Sequence, residues 1–298
     1  MQIAITGASG LVGTQLALAL REGGHAVLKL VRREAQAADE VLWHPGQPDQ
    51  ELAGLAGVDA VVHLAGEGVA AKRWTSAQKK VIEGSRVGVT HELVRSLGRL
   101  DPRPRTFVCA NAVGIYGDRG DELLDESSSD GAGFLAGVCR AWEDAAMTAG
   151  DFGMRVVSLR IGLVLAKQGG ALAKMLLPFR LGLGGRLGSG KQWMSWIALD
   201  DMVRAIVHAL ECEQLSGPVN LVSPGPVTNR EFTAALGSAL RRPTVMPMPG
   251  PVARLLFGQM ADELLLGGTR VEPSALLQSG FVFEQPELAA CLRTVLAN

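Results

Sequence analysis

Met1-Gln-Ile-Ala-Ile-Thr-Gly-Ala-Ser-Gly-Leu-Val-Gly13 decides the fold. Ile3 to Ile5 is a short apolar run and reads as a strand. Gly7, Gly10 and Gly13 follow, and an alanine- and leucine-rich helix then runs to about Arg21. In this context a glycine triplet has a job at each position. Gly7 permits a tight turn, Gly10 lets a pyrophosphate reach the backbone, and Gly13 lets helix and strand pack closely. The helix N-terminus offers unpaired N–H groups and a partial positive charge. Gly7, Ser9, Gly10, Leu11, Val12 and Gly13 are therefore expected to bind a nucleotide.

Apolar strands alternating with helices continue outward from this motif. Strands are expected at Ala26–Val31, Val58–Leu64, Thr106–Ala110 and Met154–Ile161. Helices are expected at Ser76–Leu97 and Phe134–Ala149. Such a series implies a parallel sheet covered on both faces, a doubly wound α/β fold of Rossmann type. Ligands then gather along the edge formed by the strand C-termini. Past Gly162 the rhythm breaks. A helix at Asp200–Glu211 and a strand at Val219–Val222 read as a return to the main sheet. We therefore expect a Rossmann domain of residues 1–165 with a return segment at about 198–223. Residues 166–197 and 224–298 are expected to form a smaller lobe that receives substrate.

The 298 residues are 47% apolar with a net charge of −1, enough for a sizeable core. Near-neutral charge gives no electrostatic footprint for nucleic acid. Cys109, Cys139, Cys212 and Cys291 are scattered, form no CxxC pair, and read as reduced thiols of a cytoplasmic protein, without a metal site. No secretory leader is expected, since no charged and apolar leader pattern is read before Ile3, and no apolar run reaches the length of a membrane span.

The second strand ends Val31-Arg32-Arg33-Glu34, where NAD-binding sheets carry an acid for the ribose 2′-hydroxyl. Two guanidiniums suit a 2′-phosphate instead, so NADP is the expected cofactor. Leu64, Ala65 and Gly66, at the end of the next strand, let the backbone approach the cofactor. His63, inside that apolar strand, reads as a core histidine. Ser85, Arg86 and Thr90 either face the cleft or pair across their helix surface.

Thr6-Gly-Ala-Ser-Gly-Leu-Val-Gly13, His63-Leu-Ala-Gly66, Asn111-Ala-Val-Gly-Ile-Tyr-Gly117 and Leu159-Arg-Ile-Gly162 together resemble the extended short-chain dehydrogenase/reductase superfamily. The chain is most similar to its atypical, epimerase-like branch. Gly184–Ile197, Leu255-Leu-Phe-Gly258 and the region around Leu264–Gly267 and Ser279–Phe281 support that branch. The resemblance implies a small-molecule substrate, sugar-nucleotide-like in kind, and places Arg160 at the turn facing the cofactor. It also implies a Tyr-x-x-x-Lys pair, with tyrosine exchanging a proton and lysine one helical turn away. The pair is missing. The single tyrosine is Tyr116, and the residue four positions on is Gly120. Leu135 and Cys139 fall at the tyrosine and lysine positions, and Asn111 near the family's serine. Two readings follow: an oxidoreductase with relocated proton-transfer groups, or a non-catalytic NADP(H)-binding sensor or scaffold. For the enzyme, Asn111 and Tyr116 are the candidate catalytic residues. Gln192, Trp193, Ser195 and Trp196 are the candidate substrate contacts.

Overall fold

A computed structural model describes residues 1–47 and 50–297. Seven parallel strands build the central sheet: β1 (Gln2–Thr6), β2 (Ala26–Val31), β3 (Glu40–Leu42), β4 (Ala60–His63), β5 (Thr106–Ala112), β6 (Arg155–Ile161) and β7 (Gly217–Leu221), in the order β7-β6-β5-β4-β1-β2-β3. The order reverses between β1 and β4, and β1 pairs with both β2 and β4. That reversal places a crevice outside the C-terminal end of β1.

Each central strand is apolar on both faces because both faces are covered. Ile3, Ile5, Val62, Val108, Val157 and Leu159 point to one side, against helices α1 (Leu11–Glu22) and α6 (Leu199–Glu211). Ala4, Val61, Phe107, Cys109 and Val156 point to the other. There they meet α3 (Val87–Gly98) and α4 (Phe134–Met147).

The helix expected over Ser76–Leu97 is two helices, α2 (Ser76–Gly84) and α3, broken at Ser85 and Arg86. Ser85 Oγ donates back to the Ile82 carbonyl and accepts from Glu67 N–H, so a side chain takes over backbone bonding at the break.

Beyond the sheet, α5 (Gly170–Arg180), α7 (Asn229–Leu240) and a C-terminal helix (Leu288–Ala297) share a separate core. Leu172, Leu176, Phe179, Trp196, Phe232, Leu236 and Leu292 fill it. Helix α8 (Gly250–Phe257) and a π-helical turn (Asp262–Leu266) follow on the side of α4. No helix among the described residues is long and apolar enough to cross a membrane.

Candidate dinucleotide and substrate site

The turn after β1 is built without side chains. Gly7 has φ +68°, and a Cβ there would lie 3.0 Å from the Leu64 carbonyl carbon. A Cβ on Gly13 would lie 2.3 Å from the Gly7 carbonyl oxygen, a backbone collision. Gly10 is the N-cap of α1 and supplies no side-chain cap, so the first-turn N–H groups are left for another acceptor. Ser9 and Gly10 are exposed, and Leu11 leans on Gly169. This cradle fits the diphosphate of a dinucleotide on its own geometry: close backbone approach, a helix N-terminus and an open face.

Thr6 holds the neighbouring strand end in place. Its Oγ1 accepts from Leu64 N–H and Ala65 N–H and lies 2.7 Å from His63 Nδ1. His63 is fully buried, with Nε2 3.1 Å from Thr90 Oγ1, and burial lowers its pKa to about 4. Thr90 also accepts from Trp142 Nε1–H. This chain of neutral groups fixes the Leu64–Gly66 edge.

At the end of β2 the two arginines differ. Arg33 forks onto Glu40, at 2.7 and 2.8 Å, and those hydrogen bonds pull the Glu40 carboxyl down to about 2. Arg32 is exposed and has no hydrogen bond or ion pair among the described residues. It is the guanidinium left open beside the cradle.

The structure does bring Asn111, Tyr116 and Arg160 together, but inside the protein. Arg160 is 5% exposed and pairs with Glu143 at 2.6 Å. It also donates to the Tyr116 hydroxyl at 2.8 Å. That hydroxyl donates to Asn220 Oδ1, and burial pushes its pKa up to about 12. Asn111 Nδ2 donates to the Cys139 carbonyl and to Glu143, and its Oδ1 accepts from Ala112 N–H. These side chains satisfy one another beneath the ligand edge. Their polarity drew attention in the sequence; their burial was not readable there.

The substrate quartet divides. Trp196 is fully buried in the second core, its Nε1–H bonded to the Gly225 carbonyl. Ser195 is buried between Thr269 and Val271 backbone groups. Gln192 ties the Leu187 and Leu265 carbonyls together. Trp193 remains half-exposed. It donates to Asp121 and carries the Arg270 guanidinium 4.5 Å from its ring centroid. Arg270 was not singled out by sequence, and with Glu272 two positions on it carries no local signal that would single it out.

Leu135 lies under Trp74, Phe134, Met260 and neighbouring apolar side chains. Burial pushes the Cys139 thiol up to about 12, so it is an inert thiol at neutral pH. The positions expected for proton exchange thus hold a covered leucine and a buried thiol.

Residues 3–221 match the NAD dependent epimerase/dehydratase family, and residues 248–295 match a domain of unknown function, DUF1731. An epimerase family protein of Mycobacterium bovis is 45% identical over 290 residues, covering 97% of this chain and 96% of its own. The human epimerase family protein SDR39U1 is 36% identical over the full length of both chains. Its crystal structure with NADPH superposes with a TM-score of 0.91, at 34% identity and full coverage of both chains. A nucleoside-diphosphate sugar epimerase from Corynebacterium glutamicum superposes with a TM-score of 0.82 at 37% identity, over 99% of this chain and 58% of that one.

Proposed function

Because this chain belongs to the NAD dependent epimerase/dehydratase family, we propose that it is an NADP(H)-dependent oxidoreductase that works without a tyrosine–lysine pair. The observation that carries the cofactor assignment is the open glycine cradle with Arg32, exposed and unpaired among the described residues, beside it. Its human relative crystallised with NADPH supports the same choice. The first-turn N–H groups of α1 would bind the diphosphate, Arg32 the 2′-phosphate, and the Leu64–Gly66 backbone would lie along the other half of the cofactor. The bound dinucleotide supplies a hydride donor or acceptor. Trp193 and Arg270 would hold the substrate: a flat indole face for a ring, and a cation for an anionic group such as a nucleotide phosphate. Asn111, Tyr116 and Arg160 position the strand ends from below. A cytoplasmic, reducing setting agrees with four free cysteines, three of them buried.

One observation favours a second reading, a non-catalytic NADP(H)-binding protein: Leu135 sits under an apolar cover where the family's tyrosine would act. A single experiment separates the readings. NADPH and NADH binding are titrated by calorimetry, and NADPH oxidation is followed against sugar-nucleotide, keto and enone substrates. Gly10→Glu serves as the control, since a carboxylate in the cradle should abolish binding of either cofactor. Turnover that disappears in Gly10→Glu supports the enzyme. Tight NADPH binding with no turnover supports the second reading. Undiminished binding in Gly10→Glu would place the cofactor elsewhere.

A further inference from the structure

We infer that Arg86 grips the ribose on the nicotinamide side of the dinucleotide, in the place the missing lysine would have served. The inference rests on the NADP(H) reading and goes beyond it by assigning a second cationic contact at the opposite end of the cofactor from Arg32.

The position of Arg86 follows from the break between α2 and α3. Its backbone, at φ −111° and ψ −67°, lies at the edge of the right-handed helical region, away from the ideal helix values. The side chain lies against the end of β4. A Cβ on Gly66 would be 3.5 Å from the Arg86 Cζ, so the absence of a side chain at Gly66 leaves the guanidinium open to the ligand edge. Arg86 Nη2 donates to the Glu67 carbonyl at 2.9 Å and Nη1 to the Ile82 carbonyl at 3.2 Å. The guanidinium stacks 5.1 Å from the Trp142 ring centroid. These contacts aim a long side chain at one place.

The contacts leave the cation without a directly paired carboxylate; Glu67 acts on it only through its charge, with no ion pair among the described residues. Its acceptors are carbonyls, with the Ser85 hydroxyl at 3.5 Å. Burial accordingly lowers its pKa, and its charge acts on the Cys139 thiol. A guanidinium has five N–H donors, and Nε–H carries no hydrogen bond here among the described residues. A partly buried cation with spare donors is suited to ligand oxygens.

The sheet order tells which oxygens these are. The cradle follows β1, and Arg32 follows β2 on one side of it. Arg86 stands at the end of β4, on the other side, between Gly66 and α4. A dinucleotide with its diphosphate on the cradle and its 2′-phosphate at Arg32 therefore sends its other ribose toward Arg86. The hydroxyls of that ribose are the oxygens within the cation's reach. The same place is close to Cys139, where the lysine is missing.

The test compares two ligands that share the adenosine half. NADPH carries the nicotinamide ribose; adenosine 2′,5′-bisphosphate lacks it. Affinities for both are measured by calorimetry on the full chain, for wild type, Arg86→Met and Arg86→Lys, with thermal melting as the check on folding. Arg86→Met should weaken NADPH about 10- to 100-fold, the effect of losing a charged hydrogen bond, and leave the bisphosphate within twofold. Arg86→Lys, which keeps the charge but loses the fork, should show the same selectivity with a smaller loss, and it carries the test if Arg86→Met does not fold. Equal weakening of both ligands would mean that Arg86 only supports the fold, and no weakening of NADPH would mean that it does not touch the ribose; each overturns the inference. Wild type that binds neither ligand overturns the cofactor reading, and this inference with it.

Discussion

Position 32 carries a guanidinium with no partner among the described residues and position 33 a spent one, and selectivity for the 2′-phosphate should follow that difference. Arg33 would have to leave Glu40, whose carboxylate it holds by two hydrogen bonds, before it could bind a phosphate. Arg32→Ala is therefore expected to weaken NADPH about 10- to 100-fold, as for a lost charged hydrogen bond, with NADH unchanged. Arg33→Ala should cost less than about threefold on this principle. Calorimetry showing equal losses for the two cofactors would reject the assignment. His63 gives a prediction of another kind. Thr6 Oγ1 already accepts two backbone N–H groups, so its own hydrogen is free for Nδ1, and Nε2–H donates to Thr90. That arrangement needs the neutral ring, and burial moves its pKa from 6.5 to about 4. Between those values the unfolded chain binds a proton that the folded chain does not. Stability from this group is therefore full above pH 6.5 and falls as pH drops toward 4. At about 1.4 kcal/mol for each pH unit, its contribution is about 3 kcal/mol. Urea midpoints taken from pH 7 down to about 5.5, above most carboxylate titration, should fall in wild type and be flatter in His63→Gln. A wild-type midpoint constant over that range would contradict it. The glycines and His63 were legible because local geometry and an apolar surround decide their roles. The Arg33–Glu40 pair was not, because six residues separate the partners and Glu40 opens a third strand too short to read in the sequence.

Elements defined by buried apolar runs could be read directly, since β1, β4, β5 and β6 are covered on both faces. Those that depend on distant partners could not. Leu123–Leu124 is a strand only because Arg270–Val271 pairs with it. The break between α2 and α3 was hidden because Ile82, Val89, Leu93 and Leu97 all point inward on both sides of it. Helix α4 shows the same dependence at its start. Its N-cap is Gly133, at φ +113°, with no side chain to cap the first turn. Glu263, from the π-helical turn, does so instead: its carboxylate accepts from Leu135 N–H at 2.8 Å and Phe134 N–H at 3.2 Å. The negative charge also suits the helix N-terminus. Glu263→Ala should destabilise the protein by about 1 kcal/mol, the usual effect of losing an N-cap, and expose the first turn of α4 to hydrogen exchange. Unchanged protection of Leu135 N–H in that variant would mean that the turn is held by packing alone.

Across the whole molecule, the C-terminal third is stitched to the sheet edge by polar groups. Asn220 on β7 donates to the Glu272 carbonyl, and Glu126 accepts from both Asn220 N–H and Ala275 N–H. Asp201 accepts from Glu284 N–H and Gln285 N–H. Side chains such as Asn111, Tyr116, Arg160 and Ser195 at strand ends look like a reaction site in sequence. Their burial by distant segments was not legible there, as Tyr116, packed in one cluster with Val222 and Val271, illustrates. Tyr116 is the sharpest test of that distinction, because its hydroxyl joins Arg160 on β6 to Asn220 on β7. Tyr116→Phe removes one oxygen and leaves a buried guanidinium donor and an amide oxygen each short of a partner. The expected cost is about 1–3 kcal/mol of stability, read from urea unfolding. NADPH affinity should stay within twofold, because the cradle, Arg32 and Arg86 are untouched. If Tyr116 instead delivers a proton to substrate, the variant would keep its stability and lose turnover. Its burial at 0% exposure, with both sides of the hydroxyl already occupied, points to the first result.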